Sequence, residues 1–544
     1  MVTCQFFIRN VATAIIIVSS CLVNAQGSNS LESPALNPWI TPLKFCNQNP
    51  GKYSVDINMG FLNTDYLCTI TEKDGVRFNT KKVELTHNDA ARLVLSMANQ
   101  CNQLDSIRIL VGASRDSENE LRKLIPNAPK NSVIQIQKNS LLKSPDENHA
   151  KVFQLSNGID QFFTVHGSVN LQTVGLTCKA NNALRFVEKT PALYQYFNQL
   201  ANAVQANDGT AKFENGTGTI NSSGTDLKPV VVGNYVVQFY AGRAAGFVGG
   251  DIPNQQKKWP QYINPPISGQ HHADAINWYD SAIYDAAQQL RQGRSVNLDI
   301  LVFEVGQDSS FVNNLWKFVQ EGFSTQLTED KTSNAHVATV FPGKLQVRFL
   351  YQFQNDKING GITFSNLHDK SPVLSKSATH ESQYSITLGK TWEVLNTAGQ
   401  PTNPTTPYDM HNKLMLMDVV GHENDRKLYV TSSNLDESGH GSGTLWQAGT
   451  IVSAVPQSNI WSGKHANSHH LWRAYKNYFD MLWSNRVGQP DAGQVKFHQQ
   501  ISALHSKNAM NWIETTSSES VISQQTLKEG IDAFFFPIPF MPSK

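Results

Sequence analysis

The stretch His411-Asn412-Lys413-Leu414-Met415-Leu416-Met417-Asp418 decides how the rest of the chain is read. A run this apolar predicts a buried strand, and in a strand successive side chains point to opposite faces. His411 and Lys413 are two residues apart, so they project to the same side, where together they can hold an anion. One His-x-Lys in 544 residues is weak evidence. It becomes strong only if it recurs in register with a repeat of the fold.

It does recur. The stretch "HAKVFQLS" (His149 to Ser156) supplies His149 and Lys151. Each His-x-Lys is followed by an apolar strand ending in Ser-x-Asn: Ser168 and Asn170 in "FFTVHGSVNLQ", Ser432 and Asn434 in "LYVTSSNLDESG". Upstream of the first copy, Asn88 to Gln100 has helical spacing, Ser106 to Gly112 reads as a strand, "ENELRKLI" as a helix and Val133 to Lys138 as a strand. Upstream of the second, the same order appears as Asn277 to Gly293, Val296 to Gly306, "NNLWKFVQEGF" and Leu345 to Phe353. An aromatic-rich helix closes each half, in "TPALYQYFNQLANAV" and "SHHLWRAYKNYFDMLW". Helix and strand alternating in this way predict α/β layers around a mostly parallel sheet. The divisions follow: a first half over 35–210, a Gly/Ser/Thr/Asn-rich linker over 211–229, a second half over 230–487 and a C-terminal extension over 488–544.

The paired motifs resemble the phospholipase D superfamily, whose halves each carry His-x-Lys-x4-Asp and Gly-Ser-x-Asn. "HNKLMLMD" matches the first part in full, and "HAKVFQLS" has Ser156 in place of the Asp. "GSVN" matches the second part, and "TSSN" has Thr431 in place of the Gly. The resemblance spans about residues 50 to 485. It implies a duplicated phospholipase D-like α/β sandwich whose two halves form one active site. It also implies His149 as nucleophile and His411 as general acid/base, with Lys151, Lys413, Asn170, Asn434, Ser168 and Ser432 around the phosphate. Asp418 has a supporting, structural role on that reading, and Ser156 does not disable the first half. Family members often place an acidic residue after Gly-Ser-x-Asn to back the opposite imidazole. Here Asn181 and Gln447 stand in that place. Their carbonyl oxygens can accept from an imidazole N–H but stabilise an imidazolium less than a carboxylate does.

The chemistry fits these residue types. One imidazole attacks phosphorus to give a phosphohistidine, and the other protonates the leaving oxygen and later activates water or an alcohol. Lysine charge and amide donors stabilise the phosphoryl oxygens, so no cofactor and no metal is called for. The clusters His271, His272 and Asp274, and His469 with His470, have no repeating coordination spacing and read as surface or helix-start residues. His166, just before the first Gly-Ser-x-Asn, lines the cleft or packs in its strand.

Composition narrows the partners. Hydrophobic residues make up 40% of the chain and aromatics 10%, enough for a large core. Charged residues are 16% and the net charge is +1, which disfavours a nucleic-acid partner, since that binding draws on many cations. The expected substrate is a phospholipid or a membrane surface; a nuclease or a catalytically weakened binding protein are the alternatives. Residues 1–25 read as a secretory signal peptide, with Val18 to Cys21 loosely resembling a lipoprotein cleavage box, so the protein is expected outside the cytoplasm. Cys46, Cys68, Cys101 and Cys178 then suggest two disulfides of open connectivity, and Asn215 and Asn221 begin glycosylation sequons. The tail "AFFFPIPFMPSK" is expected to pack over an apolar patch rather than enter a lipid interface.

Overall fold

A computed structural model describes residues 37–536 except 63–65, 73–76, 85–89, 115, 139–147, 173–174, 177–178, 207–212, 215–218, 221–228, 244–276, 306–314, 316–323, 330–335, 355–382, 392, 396–409, 436–445, 457–470 and 485–528. The leader, the sequons, both His-rich clusters, Cys178 and the end of the tail lie outside the described residues.

The two halves share a frame of one leading helix, six strands of one sheet and a closing helix, with further short helices and strands inserted among them. In the first half, helix Asn37–Gln48 leads into strand Tyr53–Leu62; then come Leu104–Ser114, Val133–Lys138, Lys151–Ser156, Phe162–Gly167 and Asn181–Glu188, and helix Ala192–Ala206. In the second, helix Asn277–Arg291 leads into Val296–Val305; then come Leu345–Gln354, Tyr384–Lys390, Lys413–Val419, Lys427–Thr431 and Trp446–Ala454, and helix Leu471–Ser484. The spatial order of the six strands is the same in both sheets.

Two expectations are corrected here. The sheets are mixed and mainly antiparallel: within each set of six strands only two pairings are parallel, among the three strands joined through helices or long crossovers. Lys151–Ser156 and Phe162–Gly167, like Lys413–Val419 and Lys427–Thr431, follow one another through short turns, which permit only antiparallel neighbours, and the third motif strand of each half also pairs antiparallel with the second. The repeat is also shifted by one strand. The counterpart of Val296–Val305 is Tyr53–Leu62, which pairs with the His149 strand as Val296–Val305 pairs with the His411 strand. "YSVDINMGFL" lies N-terminal to the segment in which the sequence pattern places the first repeat.

The corrected alignment exposes a second repeated pair. Asp56 accepts two bonds from Arg108 at 2.8 and 2.7 Å, and Asp299 accepts two from Arg348 at 2.6 and 2.7 Å. Both pairs sit at matched register positions across the parallel strands.

The core has three parts. Helices Ala192–Ala206 and Leu471–Ser484 lie between the two sheets and share one apolar core with both, through Phe197, Phe239, Tyr475 and Phe479. A second core lies behind the second sheet, under helix Asn277–Arg291. The third lies behind the first sheet, under helices Asn37–Gln48 and Ala90–Ala98. A disulfide joins Cys46, in the first of those helices, to Cys101, just past the second. Three further strands extend the sheets, one of them Val230–Val232, which runs antiparallel beside Tyr235–Arg243 at the edge of the second sheet. Tyr235–Arg243 runs antiparallel beside Trp446–Ala454, and Gly530–Phe536, from the C-terminal extension, runs antiparallel beside Asn181–Glu188. In that last strand Phe535 stacks on Tyr478 and Phe536 on Trp39, so these two residues of the tail pack inward as expected.

Candidate active site

The halves meet through their motif segments. The backbone N–H of His149 donates to Trp446 O at 2.9 Å, and that of His411 donates to Ala180 O at 2.7 Å. These are the same bond made twice across a pseudo-two-fold axis, and each threads a motif histidine onto the strand of the opposite half. His166 and Val430, which occupy equivalent positions, also face each other there, with His166 Nε2 3.4 Å from Val430 O. Asn182 Nδ2 donates to Asn412 Oδ1 at 2.8 Å, a further buried link between the halves.

The crossing sets both imidazoles. His149 Nδ1 lies 3.0 Å from Gln447 Oε1, and His411 Nδ1 lies 2.9 Å from Asn181 Oδ1 and 3.1 Å from Ser168 O. The amide orientations are determined by their other bonds. Asn181 Nδ2 donates to Gly175 O at 2.7 Å and Lys179 O at 3.3 Å, while Ser168 Oγ donates to Asn181 Oδ1 at 3.1 Å. An oxygen in that position can only accept, so His411 carries its proton on Nδ1 and the lone pair on Nε2. Ser432 Oγ likewise donates to Gln447 Oε1 at 3.2 Å, which gives His149 the same tautomer. Ser168 and Ser432 were expected on the phosphate. Both are fully buried, and each hydroxyl also accepts a backbone N–H, from Asn182 and Ala448 at 3.0 Å. In this structure the serines hold the amides that hold the imidazoles.

The strand geometry places the lysines. Lys151 and Lys413 begin the strands Lys151–Ser156 and Lys413–Val419, and both are buried. Each donates one bond to the carbonyl of its own motif histidine at 2.9 Å. An ammonium has three donors, so this bond orients it while its charge remains in the site. The positive cluster acts on His411. Burial first, then the charges of Lys413, Lys179, Lys151 and His149, hold its pKa well below the ordinary imidazole range.

The asparagines differ between halves. Asn170 Oδ1 accepts from the Phe61 N–H at 3.1 Å, which turns its amide nitrogen to the other side. Asn434 does the reverse: its Nδ2 donates to Glu304 Oε2 at 3.0 Å. Sequence reasoning missed Glu304. It lies at the end of strand Val296–Val305, at the position that Phe61 holds in the first half, and the shifted repeat hid that equivalence. One residue earlier, Phe303 packs its ring 4.9 Å from that of His411 and 5.1 Å from Lys413 Nζ, where the first half has Gly60. A Cβ at Gly60 would lie 3.2 Å from Asn170 Oδ1 and 3.4 Å from the His149 Cα, so there is no room for a ring.

Asp418 is away from this cluster. It accepts from Arg426 at 2.7 Å, and Arg426 lies 4.4 Å over the Trp472 ring. Ser156, its counterpart, accepts from the Gly158 N–H at 2.8 Å. Gly167, which becomes Thr431 in the second half, is a close approach: a Cβ there would fall 2.2 Å from Asn182 O. Among the described residues no group of three or more His, Cys, Asp or Glu side chains could hold a metal ion, and no helix is long and apolar enough to cross a membrane.

Two copies of one α/β unit, each bringing its His-x-Lys and Ser-x-Asn segments to a shared boundary, make a duplicated phospholipase D-like α/β sandwich. No protein-family model matches the sequence, and neither does any curated protein. Solved structures similar in fold include the phosphatidylserine synthase of Haemophilus influenzae Rd KW20, at 9% identity and a TM-score of 0.40, covering 86% of this chain and 90% of that one. The polyphosphate kinase of Porphyromonas gingivalis matches at 8% identity and a TM-score of 0.38, over 85% of this chain. The match covers 53% of the kinase, so the chain spans about half its length. Yeast tyrosyl-DNA phosphodiesterase matches at 9% identity and a TM-score of 0.33, over 75% of this chain and 86% of that one. The fold assignment rests on the topology of this chain and not on the size of these overlaps.

Proposed function

We propose that the chain is a phosphoryl-transfer enzyme, and within that class a secreted phosphodiesterase that cleaves phospholipid head groups through a phosphohistidine. The observation that carries this is the reciprocal pair of imidazole–amide bonds, His149 on Gln447 and His411 on Asn181, each made across the boundary between halves. Both rings are thereby held with the lone pair on Nε2, the form that attacks phosphorus or takes a proton.

In the proposed cycle, His149 Nε2 attacks phosphorus and the P–O bond to the head group breaks. His411, protonated on both nitrogens, gives its Nε2 proton to the departing oxygen, which leaves as an alcohol. Neutral His411 then takes a proton from water as that oxygen attacks phosphorus; the P–N bond breaks and His149 is restored. Lys151 and Lys413 carry the positive charge that balances the phosphoryl oxygens. A bound diester also offsets the lysine charges that depress His411, so substrate helps to load the proton that His411 must deliver. The apolar leader and the Cys46–Cys101 disulfide favour an oxidising, extracytoplasmic setting.

The test is interception of the intermediate. With phospholipid and ethanol the protein should make phosphatidylethanol alongside phosphatidic acid, seen by mass spectrometry of the lipid extract, and chelators should not abolish the reaction. Phosphatidic acid without the ethanol adduct, at every alcohol level the protein tolerates, would sink the phosphohistidine route or close it to alcohols. Degraded oligonucleotides with lipid untouched would move the substrate to nucleic acid, and no product from either would favour a binding protein.

A further inference from the structure

The boundary between the halves is symmetric in its backbone and unequal in its side chains. The His149 N–H donates to Trp446 O and the His411 N–H to Ala180 O, so Ala150 and Asn412 hold equivalent places, as do Ala448 and Asn182. Beside His149 the pair is Ala150 with Ala448, both fully buried, and neither side chain can make a hydrogen bond. Beside His411 it is Asn412 with Asn182, also fully buried. Asn412 Nδ2 donates to Ala180 O and to Tyr478 Oη, both at 2.8 Å, and its Oδ1 accepts from Asn182 Nδ2 at 2.8 Å. The bond to a backbone carbonyl fixes which end of the Asn412 amide is the nitrogen. Asn182 is set in turn by Tyr475, whose hydroxyl donates to its Oδ1 at 3.3 Å. Tyr478 donates to Asn181 O at 3.4 Å, and its ring stacks 4.4 Å from that of Phe535.

Ala180, Asn181 and Asn182 are thus each tied to this network. The same segment holds His411 twice, through the Ala180 carbonyl and through Asn181 Oδ1, which accepts from Nδ1 at 2.9 Å. Among the side chains at the equivalent places of the first half, two alanines do none of this. The inequality matches the roles assigned to the imidazoles. The nucleophile is held by its own covalent bond once it has attacked. The acid has only hydrogen bonds to aim it, and it must serve the departing oxygen and then the incoming one. We infer that Asn412, the residue between His411 and Lys413 in the motif, is a positioning residue for the acid imidazole: it clamps His411 to the segment that carries its acceptor, with Tyr478 as its support. The inference rests on the phosphodiesterase reading and on His411 as its acid.

Leaving groups separate positioning from bulk structure. An aryloxide departs without a proton, whereas an alkoxide needs one. The experiment compares kcat/KM on bis(4-nitrophenyl) phosphate with that on a short-chain phosphatidylglycerol kept monomeric in solution. Asn412→Ala gives the second half the alanine that the first half has. It should lower kcat/KM about a hundredfold or more on the lipid, the scale of a lost general acid, and at least about tenfold less on the aryl diester. Tyr478→Phe removes one hydroxyl and keeps the ring on Phe535. It should shift the same ratio in the same direction by about two- to tenfold, the worth of one neutral hydrogen bond, and it decides the matter if Asn412→Ala fails to fold. A purely structural role would lower both substrates alike, and equal losses in the folded variants overturn the inference while leaving the phosphodiesterase reading in place. Cleavage of the aryl diester alone by the wild-type protein would remove the acid and with it the role of Asn412. If the wild-type protein cleaves neither substrate, the phosphodiesterase reading itself fails.

Discussion

The motif strands and their neighbours carry Gly60, Phe61, Ser156 and Phe162 in the first half, and Phe303, Glu304, Asp418 and Arg426 at the same places in the second. Around those differences His, Lys, Ser and an accepting side-chain amide recur in both halves with nearly equal distances. The bonds from histidine to the opposite amide are 3.0 and 2.9 Å, and those from lysine to its histidine carbonyl are both 2.9 Å. What repeats is what a two-imidazole displacement requires. What differs lies around it.

The largest expected effect breaks the symmetry outright. His149→Ala and His411→Ala should each lower turnover about a thousandfold or more, because the proposed cycle uses both imidazoles in every turnover. Both side chains are buried, 7% and 8% exposed, so the folded state of each variant is checked by circular dichroism alongside turnover. Near-normal turnover in either variant would mean that the halves do not share one site.

The next effect sharpens the contrast between an amide and a carboxylate. Burial and neighbouring cations hold His411 below its ordinary pKa, and Asn181 offers it no negative charge. Asn181→Asp should raise the His411 pKa, moving the acid-dependent limb of the pH–rate profile toward neutral pH. The variant should also melt earlier, by about 1 to 3 kcal/mol in stability, because the Gly175 and Lys179 carbonyls lose their shared donor. A profile that stays in place while the protein remains folded would remove His411 from the proton-donating role.

The boundary itself supplies a stability prediction. His166 is fully buried, its Nδ1 has no partner among the described residues, and burial lowers its pKa to about 4. Unfolded, it titrates near 6.5, so the unfolded state takes up the proton first as pH falls. The neutral ring's contribution is complete above pH 6.5 and is lost between 6.5 and 4, by about 3 kcal/mol at the acid end. Glu188, raised by burial to about 7, acts in the opposite sense, its contribution fading as pH rises through that value. The His166 effect is therefore read by difference: denaturant unfolding of wild type and His166→Gln should diverge in slope between pH 6.5 and 4. Parallel slopes would mean that His166 gains a counter-charge or access to water.

Much of this was legible in the sequence for a physical reason. His-x-Lys and Ser-x-Asn are local spacings, and a strand's two-residue period fixes where such side chains point, whatever the tertiary context. Asn181 and Gln447 were placed by their positions 13 and 15 residues after Ser168 and Ser432, at the start of the next apolar strand in each half. The pairing of strands was less legible, because it is a non-local property. Tyr53–Leu62 was passed over, and with it the equivalence of Phe61 and Glu304. The clue was available: "SVDINM" and "NLDILV" place an Asp alike, and "SIRIL" and "QVRFL" place an Arg alike, the two halves of the repeated ion pair. The edge strand Gly530–Phe536 could not be assigned from periodicity. It completes the first sheet after a separation of more than three hundred residues, and only the packing of Phe535 and Phe536 reveals its place.

The smallest expected effect concerns the residue that made the first copy of the motif incomplete. Asp418 and Arg426 are cross-strand partners, each about one-fifth exposed, with the guanidinium resting on Trp472. At the same places in the first half Ser156 pairs with Phe162, whose ring packs 5.4 Å from that of Tyr194. Both arrangements anchor a motif strand to the closing helix of its half, one through an ion pair on an aromatic ring and one through an apolar contact. Asp418→Ser should therefore cost no more than about 1 kcal/mol, the scale of a partly exposed ion pair. It should leave kcat within about twofold, because neither side chain touches the imidazole cluster and Arg426 keeps its contact with Trp472. The converse change should be worse. Ser156→Asp would bury a carboxylate beside Phe162, with no arginine at that position to pair with it, and should cost about 1 to 3 kcal/mol. Urea unfolding and turnover measured on both variants test this ordering. If Asp418→Ser lost turnover as the histidine variants do while remaining folded, the aspartate would belong to the chemistry, and the first half, with Ser156 in its place, could not be its equal.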